Sequence, residues 1–152
     1  MSTQFERDVE RATRRLEKIS TRAIESANTV WRIAARPLVN EIKRRAPVSD
    51  APHSRYSGGK IVATYQPGNL RRSFKILRFQ RSPALFIGPE VGKNTANDGY
   101  YAHFQEFGAP AAGVPPQPFV GPSAAAAGPD VLRIATKALK REIEITAKAF
   151  GR

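Results

Sequence analysis

The chain has 152 residues and no cysteine. That absence excludes disulfide staples, thiolate metal sites and cysteine nucleophiles together, and it fits a reducing compartment. Acidic residues are scarce as well: 13 Asp+Glu stand against 25 Lys+Arg, for a formal net charge of +12. From Ala51 to Pro89 there is no acidic residue and there are seven basic ones. Charge of either sign is missing from residues 107–129, which hold six prolines and four glycines. So many helix breakers exclude a membrane helix there. The opening "MSTQFERDVERATRRLEK" lacks the apolar segment of a secretion signal, so the sequence reads as a soluble intracellular product.

What is present is periodic. Phe5, Val9, Ala12, Leu16, Ile19, Ala23, Ala27 and Val30 recur at steps of three or four, the spacing of one helical face. Thr3 and Glu6 have capping-box spacing ahead of that stripe. Pro37 should kink or divide the helix, and "LVNEIKRRA" should end before Pro47. A second stripe runs through Leu132, Ala135, Leu139, Ile143, Ala147 and Phe150. It predicts a C-terminal helix beginning at Gly128-Pro129, since proline suits a first helical turn.

Between the helices, residues 49–67 read as a long basic loop, because proline and glycine interrupt every run. "LRRSFKILRFQR" alternates apolar and polar residues and predicts a strand with one exposed face. "PALFIGPEV" predicts a partner strand in an antiparallel hairpin. Residues 108–122 read as a proline-rich extended connection. The order predicts a single α+β domain over residues 1–152: a long N-terminal helix and a C-terminal helix packed on a small antiparallel sheet.

Chemistry is hard to assemble from these residues. "YYAHFQEFG" places His103 three residues before Glu106, the spacing of carboxylate-bridged metal sites, but no second ligand set exists to face it. No G-x-S-x-G elbow or phosphate-binding loop is present. No cofactor, metal or catalytic residue is assigned, and no enzymatic activity is expected. On a helix, Tyr100, Phe104 and Phe107 would form one apolar stripe, with Gly108 as its stop. Phe74, Phe104, Phe107, Pro118 and Phe119 are therefore expected as core anchors. Nucleic-acid binding is the rival reading, through residues 55–81: arginines there could contact phosphate and aromatics could stack on bases.

Four segments in order, "RRAPV", "GNLRRSF", "YYAHFQEFG" and "QPFVGPS", resemble the neck, or tail-completion, proteins of long-tailed bacteriophages, related to the lambdoid minor tail protein Z. The matching positions are Gly68, Leu70, Arg71 and Ser73; Tyr101, Ala102, Glu106, Phe107 and Gly108; and Pro118, Phe119 and Pro122. This sequence departs from the family in carrying residues 49–67 between the first two segments. The resemblance implies a virion protein of the head-to-tail junction, assembled in the host cytoplasm. It implies a ring of copies, six being expected, that contacts head-closure or connector proteins and tail-terminator or tail-tube proteins, with no membrane partner. Phage DNA would pass through the ring transiently. Arg71, Arg72, Tyr101, His103, Glu106 and Gly108 are then expected at a subunit or partner interface. Arg55, Lys60, Lys75 and Arg78 are expected to face DNA or the lumen.

Overall fold

The computed structural model describes residues 4–78, 85–92 and 98–150. Helix α1 spans Gln4–Ala34 and helix α2 spans Arg36–Arg45. Pro37 divides them as expected. The break is narrow: Ala35 N–H still donates to Trp31 at 2.9 Å, and Val39 N–H donates to Ala35 at 3.1 Å. Proline in the first turn of α2 costs little, because N–H groups there have no intrahelical acceptor. The capping box at Thr3 lies outside the described residues, as do Phe79 to Ala84 of the expected strands and the side chains of Phe5 and Phe150.

Residues 49–67 hold a β-hairpin where a loop was expected. Strand β1 (His53–Ser57) pairs antiparallel with β2 (Lys60–Tyr65), in register from His53 opposite Tyr65 to Ser57 opposite Lys60. The turn is Gly58-Gly59, with φ of +57° and +76°. Two consecutive left-handed residues are what a tight two-residue hairpin turn requires. The register slips between Arg55 and Tyr56, a bulge that leaves Val62 without an opposite partner.

A five-residue helix, α3 (Asn69–Ser73), follows Gly68, whose φ is +75°. Arg71 and Arg72 therefore sit on a helical turn, and the predicted strand starts only at Phe74. That strand, β3 (Phe74–Arg78), pairs antiparallel with β4 (Leu85–Pro89), Phe74 lying opposite Pro89. Next come α4 (Ala102–Phe107), a 3-10 turn at Pro110–Ala112, and α5 (Val120–Phe150). The fold is α+β: two long helices with two small two-stranded antiparallel sheets.

Helix α5 begins eight residues earlier than the sequence suggested and carries Pro129 inside it. Pro122 is harmless in the first turn. The four alanines from Ala124 to Ala127 are the best helix formers available, and they carry the helix across Gly128-Pro129. The core is a cluster of Ile42, Ala46, Leu70, Phe74, Ala102 and Phe119. Phe74 and Phe119 meet edge to face, with ring centroids 5.5 Å apart. Helices α2, α3, α4 and strand β3 thus converge on the start of α5.

Candidate functional site

The convergence point is built around one carboxylate. Helix α4 stops at Gly108, with φ +77° and ψ 175°. A Cβ there would lie 2.9 Å from the Val114 carbonyl oxygen and 2.9 Å from the Pro116 nitrogen, so only glycine fits. The chain then folds back on itself. Ala109 and Val114 form a bridge, and Gln117 N–H donates to the Gln105 carbonyl at 2.7 Å. This return brings the first turn of α5 onto Glu106. The carboxylate accepts the N–H groups of Phe119 at 2.7 Å, Val120 at 2.9 Å and Gly121 at 3.1 Å.

Those donors have no intrahelical acceptor, and the start of a 31-residue helix carries partial positive charge. Burial pushes the Glu106 pKa up, but the three backbone hydrogen bonds outweigh it and hold the carboxyl below its ordinary value. Ser123 completes the turn, its hydroxyl donating to the Phe119 carbonyl at 2.6 Å. Glu106 is therefore an intramolecular clamp that fixes where α5 begins.

A second constellation fastens the hairpin to the same region. Asp98 is fully buried. Its carboxylate accepts the Tyr65 hydroxyl at 3.3 Å, Gly92 N–H at 3.3 Å and Tyr100 N–H at 3.1 Å. Asn69 donates from its amide nitrogen to the Asp98 carbonyl. Gly99 has no room for a side chain: a Cβ would fall 2.2 Å from the Ser73 hydroxyl and 2.6 Å from the Pro89 Cβ. Around this hub lies an aromatic nest. His53 stands edge-on to Tyr101 at 4.9 Å and packs on Tyr65 at 5.3 Å, while Tyr65 meets Tyr100 at 5.6 Å. The Arg55 guanidinium covers Tyr100 at 4.5 Å, a cation–π contact. Burial raises the pKa of Tyr65 against an opposing hydrogen bond from Arg55, and burial likewise raises Tyr101.

The expected interface residues divide accordingly. Glu106 and Gly108 are spent within the chain. Arg71 donates to the Ala46 carbonyl at 3.4 Å and Arg72 to the Pro67 carbonyl at 3.1 Å. Tyr101 belongs to the aromatic nest. His103 is exposed and lies 4.9 Å from the Phe107 ring, with no carboxylate set around it. Among the described residues no group of three His, Cys, Asp or Glu could hold a metal.

Of the expected core anchors, Phe74 and Phe119 are each 2% exposed, whereas Phe104 is 46% and Phe107 67% exposed. Pro118 is exposed too. The apolar stripe of α4 is thus not a core stripe. Six residues make less than two turns, and only Ala102 is buried. Of the basic residues expected to face DNA, Arg55 covers Tyr100, Lys75 is paired with Glu90, and Lys60 sits exposed beside the hairpin turn. The Arg78 side chain lies outside the described residues.

Sequence reasoning passed over Asp98, Asn69, Tyr65 and His53. The Asp98-Gly99 pair was the available signal, because Asp before Gly favours a turn in which its side chain caps the residue two positions on. Between these constellations lies a cleft of about 440 Å3, lined by residues including Val48, His53, Leu70, Tyr101, Gln105 and Gln117. No Asp, Glu, Lys or Arg is among its lining residues, and Glu106 and Asp98 hold backbone N–H groups and the Tyr65 hydroxyl. The arrangement positions elements against one another and presents surfaces.

Comparisons with curated proteins and with solved structures give no match. Residues 10–108, from the early turns of α1 to the Gly108 stop after α4, match a family described as "Bacteriophage HK97-gp10, putative tail-component". With the match covering more than half of its length, the chain belongs to the HK97-gp10-like family of bacteriophage tail components.

Proposed function

We propose that this chain is a non-enzymatic structural subunit of the virion. It closes the tail at the head-to-tail junction, as a ring of copies between connector and tail proteins, six copies matching the symmetry of the tail. The family match over residues 10–108 carries this reading. Two physical features support it. In the clamped region Glu106 and Asp98 hold backbone N–H groups and the Tyr65 hydroxyl, which suits a rigid building block. Large apolar side chains also stand exposed on the long helices, including Leu16 at 66%, Leu132 at 64% and Ile143 at 60%. Large apolar side chains left exposed in number suit a subunit whose surfaces are covered by neighbours. Phage DNA passes through the lumen, and Arg71, Arg72, Tyr101 and His103 lie close to the subunit contacts. The chain then resides in the virion and is built into it in the host cytoplasm.

The test is genetic and microscopic. A phage lacking a functional copy of this chain should accumulate filled heads and separate tails, and supplying the chain in trans should restore joined particles. Joined, infectious particles without the chain would sink the proposal.

A further inference from the structure

Helix α1 segregates its charges by sign. With 3.6 residues per turn, Arg7, Arg11, Arg14, Arg15, Lys18 and Arg22 fall within an arc of about 100° around the helix, on the side away from the apolar stripe. All six are exposed. No acid falls among them: Asp8 lies just outside one border of the arc, and Glu6, Glu10 and Glu17 lie outside the other. The result is a basic track about 22 Å long with acid on both margins.

A solvated helix face needs charge, but it does not need charge of one sign. Like charges three and four residues apart repel, whereas opposite charges at that spacing stabilise a helix. Helix α5 has the ordinary arrangement: Asp130 and Glu144 fall among Arg133, Lys137, Lys140, Arg141 and Lys148, and Asp130 pairs with Arg133 at 2.8 Å. On α1, Arg11 reaches Asp8 at 3.7 Å and Arg14 reaches Glu10 at 2.5 Å, both pairs being exposed and therefore weak. Arg15, Lys18 and Arg22 make no ion pair among the described residues.

A second copy of this chain has little to offer such a track. The chain carries +12 overall, and most of its acids are engaged internally. Glu41 is held by Arg44 and Arg45, Glu90 by Lys75 and Asp130 by Arg133. Glu106 and Asp98 hold backbone N–H groups. Duplex DNA also fits poorly. Its phosphates stand on both sides of a groove about 12 Å wide, so a helix lying along it would bring Glu6, Glu10 and Glu17 against phosphate as well. A helix with a row of carboxylates does fit. Its residues three and four apart rise along the axis in the same steps of about 4.5–6 Å, so a carboxylate stands beside each base. A contact that narrow leaves the acidic margins of α1 outside it.

We propose that the basic track of α1 is the docking surface for an acidic helix of a different protein. That this protein is a neighbour in the virion rests on the reading above; the chemistry of the track does not.

The probe is a fluorescent, alanine-rich helical peptide with glutamates three and four residues apart along one face. Its control has the same composition with the glutamates spread round the helix. By anisotropy at low salt, the one-face peptide should bind about tenfold more tightly than the control. Arg15→Glu, Lys18→Glu and Arg22→Glu together should weaken it by at least about tenfold, the sum of three exposed pairs. Helicity and melting temperature should stay close to the parent's, because all three side chains are exposed. Lys137→Glu, Lys140→Glu and Arg141→Glu change the net charge equally and should weaken binding far less. Equal effects of the two sets, equal binding of the two peptides, or binding of neither would overturn the proposal. Tight binding of duplex DNA that the α1 reversals abolish would overturn it in favour of nucleic acid. In a phage lacking its own copy, the α1 variant supplied in trans should leave heads and tails apart, and an acid-to-base change in another virion protein should restore joining. Joining by the α1 variant alone would overturn docking through this track. Joining without any copy of the chain would remove the virion reading and leave the peptide result standing.

Discussion

The carboxylate of Glu106 accepts the backbone N–H of Phe119 at 2.7 Å, across thirteen positions of chain. Helix caps usually come from the residue at the helix end, whose side chain reaches two or three positions on. Here the cap is borrowed from the preceding helix, and it fixes the angle at which α5 leaves the body.

Replacing Glu106 by Ala should cost about 1.5–3 kcal/mol in chemical denaturation, the range for hydrogen bonds to a charged group. The pH dependence has a definite sign. The folded pKa lies below the ordinary value, so the unfolded chain binds the proton more readily. The clamp's contribution is complete above the ordinary carboxylate pKa, about 4.3. It fades as pH falls from there through the depressed folded value. Glu106→Gln should flatten that part of the stability profile. An unchanged acid limb in the variant would remove Glu106 as its source.

Gly99→Ala should be poorly tolerated. Its new methyl would sit 2.2 Å from the Ser73 hydroxyl and within 3 Å of Pro89, between the end of α3 and the end of β4. Overpacking of this kind costs about 1–3 kcal/mol. Ser73→Ala removes only the nearest atom and should rescue Gly99→Ala partly, as a double-mutant cycle on melting temperature would reveal. Gly113→Ala makes a useful contrast: its φ is +67° but no atom lies within 4 Å, so its cost should be smaller.

Phe119→Ala should destabilise the fold by about 3–5 kcal/mol, as for a buried aromatic that leaves a cavity. Its ring lies against Phe74 in the main core cluster. Phe107→Ala should change stability by less than about 0.5 kcal/mol, as at exposed positions. It should instead reduce assembly if that face meets a neighbour. Equal melting temperatures for Phe119→Ala and the parent would remove Phe119 from the core.

Binding to duplex DNA should be weak and should have a shallow salt slope. Arg55 covers Tyr100, and Lys75 is paired with Glu90. Arg71 and Arg72 each donate to a backbone carbonyl. Fluorescence anisotropy at two salt concentrations measures this directly. A steep slope would mean many phosphate contacts and would favour the nucleic-acid reading of residues 55–81.

Local patterns were legible in the sequence and non-local ones were not. The stripe from Val9 to Val30 predicted α1, and the alternation from Phe74 predicted β3, because both periods are properties of adjacent residues. The β1–β2 hairpin was missed because Gly58-Gly59 was read as a breaker, although two glycines are also what a tight turn requires. The start of α5 was missed for a related reason. Gly121, Pro122 and Pro129 argue locally against a helix, while the group that stabilises its first turn sits on α4. Phe104 and Phe107 show the converse error: helical spacing groups side chains on one face, but it does not say whether anything covers that face. Asp98 gave only a turn signal, since its role depends on Tyr65, 33 residues away, reaching it.

The borrowed cap also has a kinetic side. Phe119, Val120 and Gly121 cannot hydrogen-bond to Glu106 until α4 has formed and Gly108 has turned the chain. The alanine run after Ser123 can flicker into helix alone, but the exit angle of α5 is set only when the return from Gly108 to Phe119 closes. That loop is short, so its closure is entropically cheap and fast. As the chain leaves the ribosome, docking of α5 onto α1 and α2 should therefore be a late step gated by that turn. A Gly108 variant would delay docking, and the exposed faces of both long helices would stay open to aggregation for longer.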